Sequence, residues 1–418
     1  MITKHQGIHN IRKDFGMTVT ETRPASDCPA TRDYLPWKDP ALRIDPYPFY
    51  ARAQAEAPVS RDEDGTFVLT KFEDLMHYGR LPSVIIAPEW EKAGAWRILK
   101  DMALGHDEPD HTRLRRLTSK WLTPKRIQDW VKITASVTDE ILDRIGEDGL
   151  VDGSDLAVEA THVTVCRLLQ VPEDEIDSVR REMRNAMPVL SAVPDADDFA
   201  ACERAHEYLR ARTAFLIEHS RANPGTGLLD YLLDLQDRGE MTEAEVFATT
   251  LFFYFVGHMD ASYLISSGLH LFTRRQDIFD AFRAEPDVRQ AIVTELVRFD
   301  APEPVITRTT TEDLVIRGVL IPAGSVLRLV MGAANRDPDV FDNPHEFDFR
   351  RPPEQSRNLT FSFGSHSCQG RLLAEAEVRV VWERIAARYS RIELAAPPVI
   401  KNTDASRHYH TLPLRLHP

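Results

Sequence analysis

Cysteine is scarce in this chain. Cys28, Cys166, Cys202 and Cys368 are scattered through 418 residues with no disulfide spacing. That pattern excludes a disulfide-built extracellular scaffold and fits a reducing cytoplasm. Positive charge is also short: 51 Lys and Arg against 65 Asp and Glu leave a net charge of −14. The expected partners therefore exclude nucleic acid. Long apolar runs are missing. The longest, around residues 251–256, is closed by His258 and Asp260 and is too short and polar to span a bilayer. The polar N-terminus has no apolar stretch of the kind an export signal needs. The expectation is a cytoplasmic protein without a membrane anchor. No Gly/Ser/Pro-rich linker divides the chain, which is 43% hydrophobic and can fill a large core. Residues 1–35 lack periodicity and are expected to form a loose arm, with Met17 an alternative start. Residues 36–418 are expected to form a single domain.

What is present centres on Phe361-Ser-Phe-Gly-Ser-His-Ser-Cys-Gln-Gly370. One cysteine cannot build a tetrahedral zinc site, but it can give a single axial thiolate to an iron. Glycines on both sides of Cys368 let the backbone pass close to a flat cofactor. The turn's N–H groups and the helix start that follows favour a thiolate over a thiol. Far upstream, His111 and Arg115 are four apart and share one helix face. Such a cationic face suits carboxylates. Thr242-Glu-Ala-Glu245 is a capping box that predicts a long helix to about Arg274. Glu295 and Arg298 are three apart on another helix, a pair that means little alone.

The spacing F-x-x-G-x-H-x-C-x-G resembles the haem-binding signature of the cytochrome P450 family, the haem-thiolate monooxygenases. The resemblance implies a mainly α (α+β) fold, a triangular helical domain with a long central helix and small β-sheets. It implies haem b (iron protoporphyrin IX), with Cys368 the proximal iron ligand and His366 and Gly257 beside the cofactor. His111, Arg115 and Arg308 match the propionate-binding residues. Glu295 and Arg298 match a structural ion pair, with Arg350 or Arg351 joining Glu295. One departure is Gln369, where the family usually has an apolar residue; it could bond to the sulfur or to a surface partner.

In the family the central helix carries a small residue, glycine, any residue, an acid and a threonine. Aligning Gly257 on the family glycine puts Met259 on the acid and Asp260 on the threonine. A rival register puts Asp260 on the acid and Ala261 on the threonine. Either way the acid–alcohol pair that positions water and relays protons is incomplete. The candidates for proton delivery are Asp260, His258 and Ser262, with Met259 at the altered position, or the substrate itself. For the substrate pocket the resemblance points to Trp90, Trp96, Val256, Val305 and Ile306, and to Tyr409 and His410 on the terminal hairpin.

The function implied is monooxygenation: hydroxylation of a small organic substrate in specialised metabolism. Dioxygen would be the oxidant, with electrons from NAD(P)H through ferredoxin and ferredoxin reductase. Arg113, Arg116, Lys120, Lys125, Arg126 and Arg371 would form a basic docking patch in an otherwise acidic protein. Two other readings stay open. The altered distal pair would suit oxidative coupling, C–C or C–N bond formation or a peroxide-driven reaction, and a haem sensor without turnover would need no proton relay.

Overall fold

The computed structural model describes residues 28–86, 102–186, 196–401 and 406–418. Helices dominate these residues, and the strands gather into four small sheets. Local capping explains several helix starts. Thr123 accepts from Arg126 N, with Pro124 in the first turn of the Pro124–Leu142 helix. Asp152 accepts from Ser154 N at 2.8 Å and opens the Gly153–Leu168 helix. The same carboxylate accepts from Leu412 N at 3.2 Å, so this cap also pins the C-terminal strands. The Thr242–Glu245 box is formed in both directions, at 3.2 and 2.8 Å.

The long helix expected over residues 242–274 is two helices, Glu243–Val256 and Met259–Arg274, broken at Gly257 and His258. Gly257 N closes the last turn on Phe253 O at 3.0 Å, and an added Cβ would sit 2.4 Å from that oxygen. His258, at φ −123° and ψ −15°, then leaves the helical range. Met259–Arg274 is buried along most of its length and packs against Gly153–Leu168 and Arg371–Arg388. The closest approach is at Gly268, where a Cβ would lie 1.8 Å from the buried Trp382 ring. Trp382 Nε1 donates to Ile265 O across the same contact at 3.3 Å. Only glycine lets the two helices meet here.

The larger sheet runs Val59–Arg61, Phe67–Leu69, Val326–Val330, Val305–Thr310 and Val84–Ile85. Its first two strands pair as an antiparallel hairpin. Part of the expected loose arm packs down: Thr31 and Leu35 are buried, and Thr31 Oγ1 lies 2.9 Å from Ser60 Oγ. Between the sheet and the cysteine loop lies a buried ionic network. Arg298 makes a bidentate pair with Glu295 at 2.6 and 2.8 Å. It also donates to Asn335 O and Pro344 O. Asn335 in turn accepts from Leu359 N at 2.7 Å and donates to Thr360 Oγ1 at 2.8 Å, at the entry to the cysteine loop. Of the two candidate arginines, Arg351 reaches Glu295 at 3.1 Å, while Arg350 turns to Glu285.

Glu377 lies on the buried side of Arg371–Arg388 and is 1% exposed. Thr134 Oγ1 donates to its Oε1 at 3.3 Å, and Oε2 has no partner. Burial pushes this carboxyl up to about 8, with Thr134 pulling the other way. The folded chain therefore binds this proton more tightly than the unfolded chain. The stabilising effect is complete below the ordinary value of 4.5 and is lost as pH rises through 8. Glu377→Gln should be close to neutral at about pH 5 and stabilising above about pH 8, by on the order of a few kcal/mol. Thermal melts of both proteins across that range test this, and a pH-independent offset between them would contradict it.

Candidate active site

The cysteine loop is built on itself. Phe361 and Phe363 are buried, residues Gly364–His366 form a 3₁₀ turn, and Cys368 N donates to Phe361 O at 2.7 Å. The Cys368 side chain is accessible by surface area, yet it is deep enough that burial pushes its thiol up to about 11. Both hold if the accessible surface of the sulfur faces an internal space rather than the exterior. The charges of Asp260 and Glu303 also raise this thiol; the Gly370 N–H and Arg115 oppose them. A cation at the sulfur would offset the burial and release the proton.

Four residues predicted around the cofactor come together beside this loop. His111 and Arg115 lie on the Asp110–Ser119 helix, Arg308 on Val305–Thr310 and His366 in the loop. The rings of His111 and His366 have centroids 3.9 Å apart. His111 is 2% exposed and neither ring nitrogen has a hydrogen-bond partner. Burial, then the Arg115 charge, lowers its pKa, against Glu108, whose Oε1 lies 3.7 Å from Nδ1. His366 is pushed down to about 3, first by burial and then by His111, Arg308 and Arg115; its Nε2 is 3.4 Å from Asp107 Oδ1. Arg308 is buried and held down to about 10 by desolvation. Its guanidinium donates to Thr307 O at 2.7 Å, and that of Arg115 to Ser367 O at 2.5 Å. Among the described residues neither arginine has a carboxylate ion pair. A buried guanidinium at Arg308, a half-buried one at Arg115 and an imidazole without a hydrogen bond at His111 suit a cofactor with two carboxylates. The residues present therefore fit haem: Cys368 would hold its iron, and His111, Arg115 and Arg308 would hold its carboxylates.

Gln369 turns its amide to the neighbouring helix rather than to the sulfur. Its Nε2 donates to Arg115 O at 2.9 Å, and its Oε1 accepts from Thr118 Oγ1 at 3.1 Å. The residue after the cysteine thus ties the loop to the helix that carries His111 and Arg115.

On the other side, Asp260 follows the helix break. Its Oδ1 is sealed from solvent and accepts no hydrogen bond. Burial pushes this carboxyl up to about 6. A second acid was missed by sequence reasoning. Glu303 is raised well above the usual carboxylate range by burial and then by the Asp260 charge. The available signal was its place in Pro302-Glu-Pro304, just before the strand expected to line the pocket. The other candidates are placed differently. His258 is buried, with its ring centroid 4.9 Å from that of His162. Ser262 Oγ donates to Met259 O at 2.7 Å, and Met259 itself is buried in the core. Val256, Val305 and Ile306 are partly buried. Tyr409 packs into the core with its hydroxyl 2.6 Å from His270 Nδ1, and His410 is exposed. Trp90 and Trp96 lie outside the described residues.

Removing the Gln369 tether should loosen the cysteine loop. Gln369→Leu is expected to lower stability by roughly 1 kcal/mol, since it removes two loop-to-helix hydrogen bonds while Thr118 Oγ1 keeps Leu114 O, and Arg115 O keeps Thr118 Oγ1, as partners. It should also speed haem transfer to a scavenging apoglobin. Unchanged stability and unchanged transfer would show that the tether carries no strain from the loop.

A family model for cytochrome P450 matches residues 87–407. The nocardicin C N-oxygenase of Nocardia uniformis subsp. tsuyamanensis is 29% identical over 391 residues, covering 88% of this chain and 94% of that protein. The 6-deoxyerythronolide B hydroxylase of Saccharopolyspora erythraea is 32% identical over 320 residues, covering 74% and 76%. The solved structure of ligand-free CYP164A2 from Mycobacterium smegmatis superposes with a TM-score of 0.83 at 30% identity, covering 91% of this chain and 98% of that one. No helix among the described residues is long and apolar enough to cross a membrane. A family match across most of the chain, relatives aligned over most of their length and a shared fold agree with the donor set around Cys368: the chain belongs to the cytochrome P450 family of haem-dependent monooxygenases, which take NAD(P)H-derived electrons from redox partners.

Proposed function

We propose that the protein hydroxylates a small organic substrate in specialised metabolism, with electrons delivered by ferredoxin and its reductase. When bound, haem with a thiolate ligand supplies the activation of dioxygen. In this reading Cys368 anchors the iron, and His111, Arg115 and Arg308 orient the cofactor through its carboxylates. The observation that carries the proposal is the orphaned Oδ1 of Asp260 at the start of the second distal helix. A carboxyl pushed up to about 6 both holds and gives up a proton near neutral pH. In this reading Asp260 is the group through which the proton passes to the distal side. Met259, at the position the family gives to an acid, has nothing to donate, and the Ser262 proton is engaged with Met259 O.

Electron supply has support on the outer face. Arg116, Lys120 and Lys125 are exposed and form no ion pair among the described residues. Leu372, just beyond the cysteine loop, is 57% exposed. Arg113 and Arg371, counted in the same patch, are taken by Glu245 and Glu375. A smaller basic rim around an apolar residue fits an acidic ferredoxin. The incomplete distal pair also favours a second reading, oxidative coupling in which the substrate supplies its own protons. Product analysis separates them, because only hydroxylation leaves an oxygen atom from dioxygen in the product.

Asp260→Asn should slow hydroxylated product by about 10²-fold, the usual worth of a positioned acid. Peroxide released per electron should rise while haem content stays unchanged. Product formation at the parental rate would rule out Asp260 as the proton donor.

A further inference from the structure

We propose that Trp121 and Tyr231 form an escape route for oxidising equivalents, along which electrons pass from the protein surface to over-oxidised haem when no substrate consumes them. The inference needs haem at Cys368 but neither the substrate nor Asp260, and it adds a protective function to the monooxygenase reading. The family's dioxygen chemistry supplies the oxidant. A cofactor able to hydroxylate a substrate also attacks its own surroundings when the pocket is empty. Easily oxidised side chains on a connected path to the surface prevent that.

The path starts at the cysteine loop. Cys368 is joined through the backbone to Gln369, whose Oε1 accepts from Thr118 Oγ1 at 3.1 Å. Thr118 O accepts from Trp121 N at 3.0 Å, so covalent and hydrogen bonds run unbroken from the sulfur to the indole. The Trp121 and Tyr231 rings stack, with centroids 5.7 Å apart and planes at 22°. Tyr231 lies on the Leu228–Asp237 helix, and its hydroxyl donates to Leu117 O at 2.8 Å, which fixes the ring. Trp121 is 4% exposed, whereas Tyr231 is partly exposed. The two rings therefore lead from the buried side of the loop to solvent. An apolar ring would serve packing better at position 121, because the Trp121 Nε1 is sealed with no hydrogen-bond partner among the described residues.

Each transfer moves one electron. Over-oxidised haem takes an electron from Trp121, Trp121 takes one from Tyr231, and the Tyr231 hydroxyl proton passes to solvent. The haem is then one step less oxidised, and a neutral tyrosyl radical stands at the surface. Ascorbate outside the protein restores the tyrosine by giving back one electron and one proton. Arg126 sets the direction. Its guanidinium lies 4.1 Å from the centroid of the Trp121 ring. An adjacent cation makes electron loss from the indole harder, so the electron vacancy does not rest at Trp121. Trp130 is also close, with its centroid 6.2 Å from that of Trp121, but it is 5% exposed and has little access to water for a released proton. Tyr231 is the exit.

The test uses the haem-loaded full chain without substrate, treated with meta-chloroperbenzoic acid and rapidly frozen for electron paramagnetic resonance. Protein grown on ring-deuterated tyrosine identifies a tyrosyl signal by its narrowing. The unsubstituted protein should show a tyrosyl radical that is lost in Tyr231→Phe and sharply reduced in Trp121→Phe. Both variants keep an aromatic ring in the stack, and both should bleach their haem faster under the peracid. No tyrosyl radical in the unsubstituted protein, a signal that survives Tyr231→Phe, a signal unchanged in Trp121→Phe, or bleaching at the parental rate in both variants would each overturn the proposal. The first of these outcomes needs no variant to fold. The carbon monoxide spectrum recorded before the oxidant is added keeps the failures apart: a thiolate-type band without a radical refutes the route alone, while absence of that band refutes the haem-thiolate reading beneath it.

Discussion

The placing of one sulfur atom is the constraint on which the rest of this structure depends. Cys368 is held by its own backbone bond to Phe361 O. Its neighbours on both sides are tied to the same helix: Ser367 O accepts from Arg115, and Gln369 grips Arg115 O and Thr118. Behind the loop, the Glu295–Arg298–Arg351 network passes through Asn335 to Leu359 and Thr360. Buried charges of this kind add little net stability compared with apolar packing, but losing one partner is expensive. They therefore suit the task of fixing a loop in one geometry. The helix that carries His111 and Arg115 is thus locked to the loop that carries the sulfur by one set of bonds.

The opposite side is organised by a break. Gly257 ends one helix and His258 leaves helical geometry, so Met259–Arg274 begins afresh with Asp260 in its first turn. A carboxylate near a helix start is favoured by the helix dipole, yet this one is raised because burial outweighs that effect. Glu303 is raised in the same way, first by burial and then by the Asp260 charge. The same helix is pressed onto Trp382 at Gly268, which fixes its distance from the Arg371–Arg388 helix that follows the cysteine. The helix that begins with Asp260 and the helix that follows the cysteine loop are therefore held together through one close contact.

Sequence legibility followed the range of each interaction. The cysteine loop, the His111–Arg115 face, the Glu295–Arg298 pair and the Thr242 capping box are all local patterns, and their spacing encodes them directly. The partner of Gln369 could not be read, because its bonds cross to residues more than 250 positions away. Glu303 looked like one more loop acid, since nothing local reveals its burial. His258 sat in a run with helical composition, and only its backbone angles show the break. The choice between Arg350 and Arg351 turned on which way the chain rotates after Asp348, which spacing alone does not encode. Tyr409 matched a family position for the hairpin tip, but in this chain its hydroxyl is taken by His270.

The most direct test of the account is the spectrum of the reduced, haem-loaded protein under carbon monoxide. An iron bound by the Cys368 thiolate absorbs far to the red of one bound by histidine, and the account predicts that band at full haem occupancy, with its loss in Cys368→His. A histidine-type band from the intact protein, or a chain that holds no haem, would contradict it.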